Sequence, residues 1–204
     1  MALISKFDPS DPDHIFGLTA YSFAQEAYRW ASDLARSVEP GDPNEDLFMS
    51  IIDGNYGAAL VLIAGLEEKL AAFSSLSEED ELLKAAPPSY IVGLEPDRKF
   101  DVKNVNRENQ ESEVSNSGFF PRHHDSEAKI LERINKDLGL IEADKHVLGY
   151  IYIYTDREPC ISCEWVTEQF MNNFPNISIT YYYNKSISAN KRRRGVIDHD
   201  ALPQ

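Results

Sequence analysis

The spacing of apolar positions changes character along the chain, and each change predicts a different element. Between residues 15 and 37, apolar or small side chains recur at Phe16, Ala20, Phe23, Ala27, Trp30 and Leu34. Steps of four and three draw one stripe down an amphipathic helix. Pro40, Gly41 and Pro43 interrupt it. The spacing then predicts a second helical stretch from about Glu45 to Phe73, with Leu62, Leu66, Leu70 and Phe73 on one side and Gly54 and Gly57 as weak points. Residues 74–81 and the pair Pro87-Pro88 read as a linker or a short extra helix.

From Tyr90 the period shortens. Tyr90-Ile91-Val92 and residues 100–105 look like strands on either side of the turn-forming Glu95-Pro96-Asp97, which predicts a hairpin. Residues 106–121, rich in Asn, Ser and Glu, are expected to form an exposed loop. Ile130, Leu131, Ile134 and Leu138 then mark a helix stopped by Gly139, Val147 to Tyr154 a strand, Trp165, Val166, Gln169 and Phe170 a second helix, and residues 177–183 another strand. Strand, helix, strand in that order implies a parallel pair joined by a crossover helix. The tyrosines at 150, 152, 154 and 181–183 read as sheet packing rather than as platforms for bases. These patterns divide the chain into a helical region, residues 1–86, and an α/β domain, residues 87–204.

Composition sharpens this division. With 42% hydrophobic and 26% charged residues the chain reads as globular and soluble. Its longest apolar run, residues 58–66, is about half of what a membrane-spanning helix needs. No membrane span is expected, and the lack of an apolar signal region near Met1 predicts a cytoplasmic working site. The formal charge of −14 argues against a polyanionic partner until its distribution is considered: residues 1–119 hold 22 of the 34 acidic side chains and only 9 of the 20 basic ones. The second half is close to neutral and carries a basic run, Lys185 and Lys191 to Arg194, that reads as a solvated tail or, alternatively, as a contact for a phosphate backbone.

Two short motifs bear the chemistry. Asp125-Ser126-Glu127 precedes the helix of Ile130, and Pro159-Cys160-Ile161-Ser162-Cys163 stands between the strand of Tyr154 and the helix of Trp165. If both helices lie on one face of the sheet, their N-termini converge. Cysteines three apart at a helix start point the same way, and the positive end of the helix dipole favours their thiolates. Two thiolates and one further ligand leave a fourth tetrahedral position open, as in a catalytic zinc site. A carboxylate two residues from that third ligand is placed to move a proton. The residues alone leave other readings open: Asp125 as a helix cap, Glu127 as a first-turn acid facing the dipole, the cysteines as a redox pair, His124 as the ligand in a shifted register, and His123 and His199 as surface residues.

Residues 124–131, His-Asp-Ser-Glu-Ala-Lys-Ile-Leu, followed by Glu158-Pro159-Cys160-Ile161-Ser162-Cys163, resemble the zinc-dependent nucleoside and nucleic-acid deaminase superfamily, with its His-x-Glu and Pro-Cys-x-x-Cys pattern. The wording is most similar to the deaminase domains of bacterial polymorphic toxins, over roughly residues 90–185. The resemblance implies a three-layer α/β/α cytidine deaminase-like fold with a mixed five-stranded sheet. It also implies Zn²⁺ held by Asp125, Cys160 and Cys163, and Glu127 as general acid and base. The expected activity is hydrolytic loss of ammonia from a nucleobase, cytosine rather than adenine, in nucleic acid or a nucleotide. A toxin would act in a recipient cell and meet an immunity protein. Asp125 stands where the superfamily usually has histidine. The competing functions are a dithiol oxidoreductase and a non-catalytic zinc-stabilised module that interacts through its acidic N-terminal region. Separately, the acidic N-terminal half is read as a regulatory cover for the basic run near Arg192 to Arg194.

Overall fold

The structure, a computed structural model, describes residues 2–113 and 119–186. In chain order its main elements are β1 (Leu3–Lys6), α1 (Ile15–Ser37), α2 (Glu45–Asp53), β2 (Tyr56–Ile63), β3 (Leu66–Phe73), α3 (Glu79–Ala85), three two-residue strands β4 (Asn104–Val105), β5 (Glu111–Ser112) and β6 (Phe120–Pro121), then α4 (Ser126–Leu140), β7 (Gly149–Arg157), α5 (Ile161–Asn173) and β8 (Ile177–Lys185). Five strands form one mixed sheet in the order β1-β8-β7-β2-β3, and β4 to β6 form a small second sheet. β7 and β8 pair in parallel across α5, as the strand-helix-strand order requires. β2 pairs antiparallel with both β3 and β7, and β1 closes the far edge parallel to β8.

The second helix expected over residues 45–73 is corrected: it stops at Asp53, and residues 56–73 form the β2–β3 hairpin. β2 is a central strand with Ala59, Val61 and Ile63 buried and Leu60 and Leu62 half-buried on the other face. Its Ala58 to Ile63 run is therefore apolar throughout and shows none of the alternation of apolar and polar residues that marks a strand with one face in water. The tight connection uses Gly65 at φ +84°, a conformation that other residues adopt only with strain. The chain before residue 86 is therefore not a separate helical unit. It supplies three of the five sheet strands, and the sheet runs across the boundary expected at residue 86.

Each face of the sheet has its own core. On one side Ala59, Val61, Leu70, Ile151, Ile153 and Ile179 meet Ile130, Leu131, Ile134 and Leu138 of α4 and Val166 and Phe170 of α5. On the other, Ala58, Ala71, Phe73, Tyr154 and Tyr182 meet Ala20, Phe23, Ala24, Ala27 and Ala31 of α1. The result is the three-layer α/β/α arrangement. Small side chains let α1 lie close to the sheet; a Cβ on Gly17 would sit 2.8 Å from the Tyr182 ring. Tyr154, Tyr181, Tyr182 and Tyr183 are buried in these layers, as the packing reading expects, whereas Tyr152 is half-buried and Tyr150 exposed. Because α1 is one of the layers, the acidic N-terminal half is part of the fold rather than a detachable cover. Lys191 to Arg194 and His199 lie outside the described residues, while Lys185 pairs with Asp156 at 2.8 Å.

The segment between α3 and α4 wraps the starts of α4 and α5. The hairpin expected near residue 95 does not form; Ile91 instead bridges to Ala71 beside β3. The backbone N–H groups of Lys99 and Phe100 donate to the Glu132 carboxylate, and that of Lys103 donates to Ser162 Oγ. Residues 106–113 and 119–121 are not wholly an exposed loop either, since Asn109 is 4% exposed and docks on α5.

Candidate metal centre and proton-transfer site

α4 and α5 pack on the same face of the sheet, so their first turns meet above the ends of β2 and β7. Asp125 occupies the N-cap position of α4 in extended backbone conformation, yet its side chain makes no capping bond. Instead its Oδ2 accepts from the thiol of Cys160 at 3.2 Å and from that of Cys163 at 3.4 Å. The two sulfurs lie 3.4 Å apart, and both cysteines are free. All three ligand atoms fall within 4.8 Å of one another. A tetrahedral zinc with sulfur at about 2.3 Å and oxygen at about 2.1 Å would set such atoms about 3.6–3.8 Å apart, so the cluster needs to open only slightly to accept it.

The charges around the cluster also fit a cation. Cys160 is the N-cap residue of α5 and Cys163 lies in its first turn, where orphan backbone N–H groups favour thiolate. Without a cation, the Cys163 thiol is pushed well up, first by its hydrogen bond with Cys160 and then by burial, with the charges of Cys160, Glu127 and Asp125 adding to it. A redox thiol needs the opposite shift. Arg122 stands 3.7 Å from Asp125 Oδ1, the oxygen turned away from the sulfurs. Its guanidinium is itself held by the carbonyls of Val105 and Asn106 at 3.2 and 3.1 Å. Asp125 is thereby left with one oxygen to offer, an outer-shell arrangement typical of metal ligands.

Glu127 lies two residues on, 1% exposed. Its Oε2 accepts from Ser126 Oγ at 2.8 Å and its Oε1 from Thr155 Oγ1 at 3.2 Å. Burial, then the charge of Asp125, raises its carboxyl to about 7, and the hydroxyl bonds partly offset the rise. A carboxyl poised there can both take and return a proton at neutral pH. A Cβ on Gly57, which pairs with Thr155 across β2 and β7, would lie 2.9 Å from the Tyr154 carbonyl and 3.5 Å from Ser126 Oγ. Glycine there keeps the strands close beneath the site.

The structure thus brings Asp125, Cys160, Cys163 and Glu127 together. It does not bring His124, whose Nδ1 meets Ser77 Oγ at 2.9 Å while its ring lies tilted against that of the partly buried His123. Burial lowers the pKa of both histidines.

Other residues of the site have no role readable from the sequence, although Ser126 and Lys129 stand within the 124–131 motif. Ser126, Thr155 and Asn55 form the hydrogen-bond network around Glu127. Lys129 is wholly buried and donates to the carbonyls of Phe73, Ser74 and Leu76, tying α4 to the end of β3. Asn109, at φ +56°, accepts the Ile161 N–H beside Cys160 at 2.9 Å, and its own amide nitrogen is buried with no partner among the described residues. Thr155 stands in the strand leading into Pro159-Cys160, whereas Asn55 and Asn109 are near no recognisable signal.

A mixed five-stranded sheet with two helix starts on one face, one carrying Asp-x-Glu and the other Pro-Cys-x-x-Cys, defines a protein of the cytidine deaminase-like class. Residues 36–185 match a toxin-deaminase family, the BURPS668_1122 family of deaminases, and the chain belongs to it. The match begins within α1 and takes in β2 and β3, so it reaches well before the segment from residue 90 on which the resemblance rested. No curated protein and no solved structure matches the chain. Among the described residues no helix is long and apolar enough to cross a membrane.

Proposed function

We propose that this deaminase is zinc-dependent and removes ammonia hydrolytically from a nucleobase, cytosine or adenine, in nucleic acid or a nucleotide. The observation that carries the reading is the contact of Asp125 Oδ2 with both thiols, at 3.2 and 3.4 Å, two residues from a buried glutamate. Asp125, Cys160 and Cys163 hold the metal. Zn²⁺ supplies a Lewis acid there that makes a water acidic enough to ionise near neutrality. Glu127 accepts the proton lost by that water as its oxygen adds to C4 of cytosine, or C6 of adenine, and returns it to the amine, which leaves as ammonia. A base in a duplex cannot reach such a site, so a polymer substrate is single-stranded or flipped.

The same contacts weigh against a dithiol oxidoreductase, because a carboxylate against both sulfurs opposes thiolate unless a cation is present. A purely structural zinc leaves unexplained a buried glutamate two residues from Asp125 that is held by two hydroxyls. Membership in a toxin-deaminase family supports an effector that works in a recipient cell and is met there by an immunity protein. Expression of the wild type beside Glu127→Ala, with sequencing of bulk DNA and RNA, tests the activity: C-to-T changes mark cytosine and A-to-G changes adenine. Absence of both, together with no ammonia from free nucleotides, would end the reading.

A further inference from the structure

Asn55 links α2 to β2, and its backbone is fixed by two bonds to Ser74: its N–H donates to Ser74 Oγ at 2.9 Å and its carbonyl accepts from Ser74 N at 2.8 Å. Its side chain reaches toward the site. Oδ1 accepts from the backbone N–H of Arg157 at 3.2 Å, and Nδ2 faces Ser126 Oγ at 3.3 Å and Thr155 Oγ1 at 3.2 Å. The orientation of this amide has a physical anchor. A backbone N–H can only donate, so the oxygen must face Arg157 and the NH₂ must face the two hydroxyls.

That anchor determines where the hydroxyl protons go. An amide NH₂ is a donor and nothing else, so both hydroxyls accept from Asn55 and each has its single proton free for another acceptor. The acceptors within reach are the two oxygens of Glu127, at 2.8 and 3.2 Å. A glutamate's terminal torsion is intrinsically broad, and one donor on each oxygen narrows it. Building on the deaminase reading, we infer that Asn55 is a positioning residue of the reaction: its amide polarises Ser126 and Thr155 so that both donate to Glu127 and hold its carboxylate plane for proton transfer.

A role in directing protons differs from a role in filling space. Asn55→Asp keeps the shape but replaces the donor with an acceptor, so the hydroxyls turn toward residue 55 and Glu127 loses both donors. Asn55→Ala removes the amide and leaves the hydroxyls free to choose. A space-filling role makes the alanine variant the worse of the two, whereas proton direction makes the aspartate variant worse.

The test uses the zinc-loaded full chain with single-stranded DNA and RNA oligonucleotides containing cytosine and adenine. Asn55→Ala is expected to lower kcat about 10- to 100-fold with KM and zinc content unchanged, and Asn55→Asp to lower it further. Thermal unfolding supplies a readout that needs no activity. The Asn55→Asp and Glu127→Gln changes should offset one another, because a glutamine amide at position 127 can donate to hydroxyls that now donate to the carboxylate introduced at position 55. This coupling should vanish in a Ser126→Ala/Thr155→Val background, where simple relief of charge repulsion would persist. Asn55→Asp matching or exceeding Asn55→Ala in kcat, or coupling that is absent or survives loss of the hydroxyls, overturns the inference. A wild type that converts no oligonucleotide and no free nucleotide removes the deaminase reading instead, and the unfolding cycle still decides the direction of the protons.

Discussion

Asp125 Oδ2 and Cys160 Sγ meet at 3.2 Å although 35 residues separate them in the chain. Each belongs to a helix N-cap position, and neither side chain caps its own helix. A cap residue that gives up its capping bond for contact with two thiols costs helix stability, typically about 1 kcal/mol, and a metal ligand recovers it. Asp125→Ala should therefore lower zinc content below stoichiometric after dialysis, and Cys160→Ser should do the same. Metal analysis of the purified variants checks this, and full retention of zinc by Asp125→Ala would remove Asp125 from the ligand set.

Glu127→Gln separates binding from proton transfer. The side chain keeps its shape and both of its neighbours at Ser126 and Thr155, so zinc should stay bound. Loss of the acid and base should reduce kcat about 10²- to 10⁴-fold. Steady-state kinetics beside metal analysis reads both, and a wild-type rate with zinc in place would refute the role.

How much of this was readable beforehand depends on how local each signal is. α1, α4, α5, β7 and β8 follow their apolar spacing because each packs one stripe or one run against a neighbour. The Asp-x-Glu and Cys-x-x-Cys motifs are equally local, since a helix start lines up residues two or three apart. β2 and β3 were hidden because Leu62, Leu66, Leu70 and Phe73 imitate a helical stripe, and because Ala64-Gly65 is not among the turn pairs that announce a hairpin. β1 has four residues and no pattern to find. Asn55 is the extreme case: it joins Thr155 across 100 residues, and nothing about an asparagine after a glycine marks it.

Lys129 gives a prediction for stability and its pH dependence. Its ammonium donates to the carbonyls of Phe73, Ser74 and Leu76, of which the first two also accept from the Leu76 N–H and from Ser77 Oγ respectively. Lys129→Met thus chiefly deprives the Leu76 carbonyl of its donor and should cost about 1–3 kcal/mol in urea unfolding. Burial lowers its pKa to about 7, against the pull of Asp125, Glu81 and Glu78. Between that value and the ordinary lysine range the unfolded chain binds the extra proton, so the group's contribution to stability increases as pH rises through that window and is flat below it. The gap between wild type and Lys129→Met should accordingly widen from pH 7 to pH 10. A gap that narrows over that range would contradict the shift.

Two glycines on the same strand pair distinguish packing from chemistry. At one end of the β2–β7 pairing, Gly57 faces Thr155, and a Cβ would lie 2.9 Å from the Tyr154 carbonyl oxygen. At the other end, Gly149 faces Ile63, and a Cβ would lie 2.6 Å from the Ile63 side chain and 2.8 Å from its Cα. Both contacts are too close to stand, so each alanine variant should lose about 1–3 kcal/mol as the strands move apart. Only Gly57 borders Thr155 and Ser126, the two donors to Glu127. Gly57→Ala should therefore lower kcat as well, whereas Gly149→Ala, at the end of the pairing remote from Cys160, should unfold at a lower temperature with kcat unchanged. Thermal unfolding and steady-state rates on the two variants decide the matter; equal losses of kcat would mean that strand separation alone, and not the hydroxyl bonds on Glu127, governs the rate.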